Sequence, residues 1–235
     1  MFFSYQNFVN TNTLNIFTDA SIRKIGKNKS AGCYGAIAML GVNKIDEDYR
    51  ICTDTTSNNS EIKAIRSGVG LAIKWRHTAQ VINLFSDSQI SIFGIRDRIF
   101  NWTLTKDNML TGYGNAKIQN QSVYIEILNM IVSNNIHINF YHQKGHVKMN
   151  DVDSAENAAH VFLASNNVRE KIDIYFMEYI SNMNNLVDTT SRKELYKIKN
   201  IDTLKKCDAF EFIPFNFRQV ISEYEKLQID QGGTG

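Results

Sequence analysis

Two aspartates follow apolar segments that nearly repeat each other. Asp19 comes after Leu14-Asn-Ile-Phe-Thr, and Asp87 comes after Ile82-Asn-Leu-Phe-Ser. Each segment has the length and apolar content of a buried strand that ends in an aspartate, and its Asn, Phe and Asp share one side by alternation. If the two strands are parallel neighbours, the carboxylates meet at one edge of the sheet. Because like charges at close range are costly, the pattern predicts a divalent cation between them.

Glu61 and His146 are further candidates for chemistry. Glu61 follows a helix-start signal, Thr56-Ser-Asn-Asn-Ser, and a side chain early in a helix points back over the strand tips. Asn58 and Glu61 also match a capping box, a role that does not exclude metal binding. His146 closes Gln143-Lys-Gly-His on a loop after a strand, and an imidazole changes charge near neutral pH. An exposed histidine without a role is the alternative reading.

Hydrophobic periodicity predicts an α/β fold that positions these residues. Strands are expected over residues 14–20, 32–42, 49–55, 81–86 and 137–141, and helices over residues 62–75, 92–102 and 123–132. This order, β-β-β-α-β-α-α-β, predicts a mixed sheet with helices packed on it. Farther along, residues 155–163, 186–199 and 217–227 read as helices, and residues 172–179 as a strand or packed helix.

Composition limits the classes of protein that the chain can represent. Its 235 residues carry a net charge of +2, with basic residues in excess over residues 1–146 and acidic ones over residues 147–188. A basic region that contains the motif acids is consistent with a polyanionic partner. No apolar run is long enough for a membrane span, and the start does not read as a signal peptide. Three scattered cysteines suit a reducing, intracellular compartment, by default the cytoplasm.

The order of these motifs resembles type 1 ribonuclease H. The matching pieces are Thr18-Asp-Ala-Ser21, Thr56-Ser-Asn-Asn-Ser-Glu61, Ser86-Asp-Ser-Gln89, Lys144-Gly-His146 and Asn184-Asn-Leu-Val-Asp188. The resemblance implies a five-stranded mixed sheet flanked by helices over residues 1–200. It also implies a helical insertion at residues 147–183, before the last catalytic helix, and a C-terminal extension over residues 201–235.

The resemblance also implies an activity and its cofactors. Family members hydrolyse the RNA strand of RNA/DNA hybrids with two divalent ions, Mg²⁺ or Mn²⁺, and leave 5′-phosphate and 3′-hydroxyl ends. Asp19 would bridge both ions, Glu61 and Asp87 would bind one each, and His146 would assist protonation or product release. Two metal ions suit phosphodiester hydrolysis because they activate water and stabilise the leaving oxygen. A monomer is expected.

The fourth carboxylate has two candidates. Glu156 lies at about the distance after His146 that the family uses, whereas Asp188 lies much farther along the chain. We favour Asp188, because Asn184-Asn-Leu-Val-Asp188 has the character of the family's helix start and an aspartate reaches less far than a glutamate. The segment between them then becomes an insertion that packs beside the site.

Four polar residues are the expected substrate contacts by resemblance. Asn58 and Gln89 would read base edges and ribose 2′-hydroxyls, the groups that distinguish RNA from DNA. Thr56 would hold a DNA phosphate, and Ser21 would contact the backbone. The family's basic, Trp-rich handle has no full counterpart, since residues 103–121 contain only Lys106 and Lys117 as cations.

Other functions stay open at this stage. The chain could be a ribonuclease H-fold module of a viral or retroelement replication complex. It could instead be a related nuclease of the same fold, or a catalytically inactive module that binds hybrids.

Overall fold

The computed structural model describes residues 3–25, 29–53, 55–107, 109–147, 151–169, 171–198, 204 and 216–230. Three short non-α helical turns, at Gly94–Arg98, Ile99–Asn101 and Tyr113–Asn115, join the main elements. Those elements, in chain order, are α1 (Tyr5–Phe8), β1 (Thr13–Lys24), β2 (Ser30–Leu40), β3 (Asn43–Thr53), α2 (Ser57–Trp75), β4 (Val81–Ser86), α3 (Gln89–Phe93), β5 (Thr103–Leu104), β6 (Leu110–Thr111), α4 (Gln121–Ser133), β7 (Asn139–His142), α5 (Val152–Ser165), α6 (Ile174–Tyr196) and α7 (Phe217–Asp230).

The main sheet confirms the predicted five-stranded mixed architecture. Its strand order is β3-β2-β1-β4-β7, with β1 antiparallel to β2 and parallel to β4, and β7 parallel to β4. Helices α2 and α4 cover one face through residues such as Ile62 and Ile127, and α5 and α6 cover the other through Phe162 and Phe176. Both faces are therefore buried, as a sheet with parallel strands requires.

Strand β1 is longer than the sequence pattern predicts. It does not stop at Asp19 but continues to Lys24, because β2 pairs with it antiparallel over the whole length. The parallel pairing with β4 does stop there, at Thr18 opposite Ser86. Asp19 thus lies where the parallel part of the sheet ends, which is the property that matters for the site.

Two rows of like side chains cross strands β1, β4 and β7 on the face that α6 covers. In the first row, Asn83 donates to Asn15 at 2.9 Å and Asn139 donates to Asn83 at 3.0 Å. In the next row the aromatic rings are stacked. The ring centroids of Phe17 and Phe85 lie 4.9 Å apart, and those of Phe85 and Tyr141 lie 5.3 Å apart. The Asn-x-Phe repeat of the sequence is therefore a pair of cross-strand ladders, and Asn139-Phe-Tyr141 is its third copy.

Helix α6 differs from the sequence prediction. The helix expected to start near Asn184 begins at Ile174, so the helix-start reading of Asn184-Asn-Leu-Val-Asp188 is wrong. The aspartate at N-cap, Asp173, accepts from the Tyr175 backbone N–H and sets the true start. The predicted boundary at residue 183 falls inside this helix, while α5 lies in the predicted insertion as a helix of its own.

The C-terminal helix packs against the core and extends the predicted amphipathic segment by a turn. Phe217 and Tyr224 of α7 are buried beside α4, and the Tyr224 ring stacks on Phe100 at 5.8 Å. Most of the segment between α6 and α7, residues 231–235 and Cys207 lie outside the described residues. Cys33 and Cys52 are buried and form no disulfide within the described residues. No helix in the described ranges has the length and apolar content to cross a membrane.

Candidate functional site: an acidic cluster at the end of the parallel strands

Three carboxylates converge where the parallel strands end. Asp19 on β1, Glu61 on α2 and Asp87 just after β4 each offer an oxygen, and these oxygens lie within 4.8 Å of one another. Asp19 is 4% exposed. The parallel register brings the two aspartates together, because Thr18 is opposite Ser86 and each aspartate is the next residue.

Glu61 reaches the cluster from the first turns of α2. Thr56, not Asn58, is the N-cap of this helix, and its hydroxyl accepts from the Asn59 backbone N–H at 3.2 Å. The predicted capping box is therefore wrong by two residues, and Glu61 lies beyond the N3 position that a capping box needs. Its carboxylate is free to face the aspartates, and Glu61 Oε2 has no hydrogen-bond partner among the described residues.

Asp188 approaches the same cluster from the middle of α6. It is 9% exposed, and its negative charge raises the pKa values of Asp19, Glu61 and Asp87. Arg192, one helical turn later, holds the Asp188 carboxylate through two contacts of 2.9 Å. Glu156, the other candidate, lies exposed on α5 and is not part of the cluster.

Burial and mutual repulsion raise the pKa values of the three clustered acids. Burial is the largest cause for each, and it raises the pKa of Asp19 to about 8, with the charges of Asp87 and Asp188 adding to the rise. The pKa of Glu61 lies well above its ordinary value for the same reasons. Burial also raises the pKa of Asp87, while nearby His146 opposes that rise. Without a cation, the protein therefore disfavours full ionisation of this cluster.

The loop after β7 packs directly on Asp87. A Cβ atom added to Gly145 would lie 2.3 Å from Asp87 Oδ2, so only glycine fits there without displacing the carboxylate. The next residue, His146, has a φ of 56° and an exposed side chain. The loop thus brings the imidazole to the solvent side of Asp87.

The four residues predicted to contact substrate lie on elements around the cluster. Asn58 is exposed on the first turn of α2, and Gln89 is exposed at the start of α3. Ser21 lies two residues beyond Asp19 on β1, opposite Cys33 of β2. The Thr56 hydroxyl is already engaged as the cap of α2. Substrate contact by these four residues stays a prediction.

Sequence reasoning missed Gln143. This residue follows β7, is 1% exposed, and neither atom of its amide has a hydrogen-bond partner within the described ranges. The signal was present in the sequence, since Asn139-Phe-Tyr-His-Gln143 repeats the Asn-x-aromatic-x-polar spacing of the two aspartate strands.

The cluster has the properties of a divalent-metal site. Carboxylate oxygens are the hard ligands that Mg²⁺ and Mn²⁺ prefer. Three carboxylates, those of Asp19, Glu61 and Asp87, each place an oxygen within 4.8 Å of the others. Glu61 Oε2 has no hydrogen-bond partner among the described residues. A cation would relieve the repulsion that helps to raise the pKa values of these acids. The residues present therefore fit a divalent cation.

A family model for RNase H matches residues 11–169, more than half of the chain. The chain belongs to the RNase H family. The match includes Asp19, Glu61, Asp87 and His146 and ends before Asp188, which tertiary packing alone brings to the cluster. Comparison of this family member with curated proteins found no match.

Two solved viral structures share the fold of this RNase H family member. A foamy viral protease–reverse transcriptase in complex with an RNA/DNA hybrid aligns with a TM-score of 0.54 at 10% identity, over 81% of this chain and 21% of that chain. The native prototype foamy virus protease–reverse transcriptase aligns with a TM-score of 0.52 at 16% identity, over 79% of this chain and 21% of that chain. LC11-RNase H1 in complex with an RNA/DNA hybrid aligns with a TM-score of 0.43 at 14% identity, over 56% of this chain and 85% of that chain. The chain thus spans about a fifth of the two viral proteins.

Proposed function

We propose that the chain is a metal-dependent endoribonuclease that hydrolyses the RNA strand of RNA/DNA hybrids. The observation that carries the proposal is the convergence of the Asp19, Glu61 and Asp87 carboxylates, with the Asp188 charge beside them, in a chain of the RNase H family. Four buried or partly buried acids that repel one another are costly to maintain unless a cation binds there.

In this proposal Asp19, Glu61, Asp87 and Asp188 would hold two divalent ions, Mg²⁺ or Mn²⁺. When bound, the ions supply an activated water and stabilise the charge on the leaving oxygen. Asp188 is preferred over Glu156 as the fourth ligand, because its charge acts on the three clustered acids while Glu156 is exposed on α5.

His146 is proposed to carry protons at the mouth of the site. It lies on a loop whose neighbouring glycine contacts Asp87, and its own side chain is exposed to solvent. A group placed between the acids and water can pass a proton to the 3′-oxygen as that oxygen leaves and then exchange it with solvent. The products would be a 5′-phosphate and a 3′-hydroxyl.

The substrate is proposed to be an RNA/DNA hybrid that crosses the exposed N-terminal turn of α2 and the start of α3. Asn58 and Gln89 present exposed amides there, and amides can bond both base edges and ribose 2′-hydroxyls. Ser21 would contact the nucleic-acid backbone. Thr56 would have to share its hydroxyl between the helix cap and a phosphate, so its contribution is expected to be smaller.

The experiment compares wild type with Asp19→Asn on labelled RNA/DNA hybrid, single-stranded RNA, double-stranded RNA and double-stranded DNA, each with Mg²⁺ or Mn²⁺. We expect metal-dependent cleavage of the hybrid's RNA strand by wild type, and a loss of at least about 100-fold in the variant, because a carboxylate of the proposed metal site is gone. Equal cleavage of the hybrid by both proteins would defeat the proposal.

A second candidate is an RNase H-fold module of a larger replication protein. It is supported by the foamy viral neighbours, in which the aligned region is 21% of a chain that also carries a protease and a reverse transcriptase. The same assay with and without a supplied reverse transcriptase distinguishes the two. Cleavage by the chain alone favours the free-standing enzyme, whereas cleavage only with the added polymerase favours the module.

A hybrid-binding module without activity makes a third, distinct prediction. Such a module would bind the hybrid yet show no binding of Mn²⁺ that depends on Asp19 or Asp87. Isothermal titration of wild type and Asp87→Asn with Mn²⁺ alone tests this directly.

A further inference from the structure

Gln143 extends the parallel register by one residue beyond β7. Ser86 of β4 is opposite His142 of β7, and the Gln143 backbone N–H donates to the Ser86 carbonyl at 3.0 Å. The residues that follow this pair are Asp87 on one strand and Gln143 on the other. Gln143 is therefore the cross-strand neighbour of Asp87.

Side-chain alternation puts Gln143 on the face that carries the acids. Two residues earlier, Tyr141 stacks on Phe85, and Phe85 is itself two residues before Asp87. Since successive side chains alternate between the faces of a strand, Gln143 and Asp87 share the face of Tyr141 and Phe85. Asp19, Asp87 and Gln143 thus form the third cross-strand row, next to the amide row and the aromatic row.

The side-chain amide of Gln143 is buried but lacks hydrogen-bond partners within the described ranges. The residue is 1% exposed, and neither Nε2 nor Oε1 has a hydrogen-bond partner among the residues the structure describes. Burying a polar group without a partner is unfavourable, and an apolar side chain of similar size avoids that cost. The adjacent row of this sheet consists of aromatic rings, so apolar residues suit the surroundings.

The loop beyond Gln143 supports this location. Gly145, two residues later, is in such close contact with Asp87 Oδ2 that an added Cβ would lie 2.3 Å from that oxygen. The segment from Gln143 to Gly145 is thus fixed beside Asp87 at two points: the backbone hydrogen bond to the Ser86 carbonyl and the close approach of Gly145 to the Asp87 carboxylate.

We propose that Gln143 is a positioning residue of the metal centre, whose Oε1 accepts a hydrogen bond from water on the ion at Asp87. The inference rests on the proposed function, because it needs a metal ion at the acidic cluster. Mg²⁺ and Mn²⁺ retain several waters when bound by carboxylates, and those waters donate hydrogen bonds to nearby oxygens. Groups in this position orient the inner ligands and strengthen metal binding.

The test uses the full chain, with Mn²⁺ alone as the probe. Gln143→Met keeps the length of the side chain and removes both polar atoms. We expect the affinity for Mn²⁺, measured by electron paramagnetic resonance of the free ion, to fall by about 10- to 100-fold. In EDTA we expect the thermal midpoint of unfolding to equal or exceed that of wild type, because two unpartnered buried atoms are gone.

A merely structural role predicts the opposite pair of results. If Gln143 has internal partners that stabilise the fold, Gln143→Met lowers the midpoint in EDTA and leaves the Mn²⁺ affinity unchanged. Either of those results would overturn the inference. Gln143→Glu provides a second variant, since its carboxylate keeps an acceptor oxygen in the row. We expect Mn²⁺ binding at least as tight as that of wild type, and weaker binding would count against the proposal.

Two controls separate this inference from the proposed function. Gln228 also has an amide nitrogen without a partner, but it lies on α7, which packs on the opposite face of the sheet. Gln228→Met should leave Mn²⁺ binding unchanged. Asp87→Asn should abolish it. If wild type itself binds no Mn²⁺, the proposed function fails together with the inference. If wild type binds and Gln143→Met binds equally well, only the inference fails.

Discussion

Arg192 forms a bidentate ion pair with Asp188, in which Nε and one terminal nitrogen each lie 2.9 Å from a different carboxylate oxygen. The two residues lie one turn apart on α6, so the helix itself holds them in register. Asp188 is 12% exposed in its side chain and Arg192 is 55% exposed. The buried acid is thus neutralised from the solvent side, and the arginine also lowers the pKa of Asp19.

Arg192→Gln tests whether this pair competes with metal binding. Removing the guanidinium frees the Asp188 carboxylate and leaves more repulsion for a cation to relieve. We expect the affinity for Mn²⁺ to rise by up to about fivefold, because a partly exposed ion pair contributes up to about 1 kcal/mol. Titration with Mn²⁺ in the absence of nucleic acid measures this. Lys193→Gln, an exposed neighbour with the same change of charge, is the control and should give a smaller change.

The choice of fourth ligand is tested by Asp188→Asn and Glu156→Gln in one assay. We expect Asp188→Asn to lower metal-dependent cleavage of the hybrid by about 100-fold or more, since it removes an acid from the charged cluster. Glu156→Gln should stay within about twofold of wild type, because Glu156 is exposed on α5. The reverse order of effects would assign the ligand to Glu156.

Stability without metal is expected to depend on pH in a defined direction. The pKa of Asp19 is about 8 in the folded protein and 3.8 for the unperturbed group, so between these values the folded state binds more protons than the unfolded state. Stability therefore falls as pH rises from about 4 to about 8 and levels off above that range. The raised pKa values of Glu61 and Asp87 act in the same direction.

Thermal unfolding in EDTA at several pH values between 5 and 9 measures this dependence. Asp19→Asn removes one of the groups with a raised pKa, so its profile should be flatter than that of wild type. Saturating Mg²⁺ should flatten the wild-type profile as well, because the bound cation favours the ionised acids. A wild-type midpoint that rises between pH 5 and pH 8 in EDTA would contradict the expected sign.

Gly145→Ala tests the contact between the loop and Asp87. The new Cβ would lie 2.3 Å from Asp87 Oδ2, so either the carboxylate or the loop must move. A shift of about 1 Å in a reacting group can lower the rate on the order of 100-fold. We expect a loss of this size in hybrid cleavage. Gly70→Ala is a matched control, since its Cβ would find only Met130 at 3.9 Å, and activity should be unchanged.

Asn83→Ala tests the amide row. Asn83 donates to Asn15 and accepts from Asn139, so its removal leaves two amides without these partners inside the sheet. We expect the free energy of unfolding to fall by about 2–4 kcal/mol, as measured by urea denaturation. Asn134→Ala, which removes one hydrogen bond to the Met130 carbonyl at the end of α4, should cost about 1 kcal/mol. Equal losses in the two variants would show that the row adds nothing beyond single bonds.

Local patterns in the sequence were enough to predict the sheet and three of the acids. The repeated Asn-x-Phe-x-Asp spacing placed Asp19 and Asp87 on one face of neighbouring strands, because alternation along a strand is set by the backbone alone. Helical spacing after Thr56 placed Glu61 at the start of α2 for the same kind of reason. The ends of elements depend on pairing as well: β1 continues past Asp19 to Lys24 because it pairs with β2.

Other features depended on contacts between distant parts of the chain. Asp188 looked like a helix start but lies in the middle of α6, and only the packing of that helix on β1 and β2 brings it to the cluster. Gln143 belongs to the same row as the aspartates, yet its missing hydrogen bonds appear only once its surroundings are known. Which residues share a face could be predicted from the amino-acid sequence, because it follows from local periodicity. Tertiary structure decided which faces meet and which polar atoms find partners, because burial depends on residues far apart in the chain.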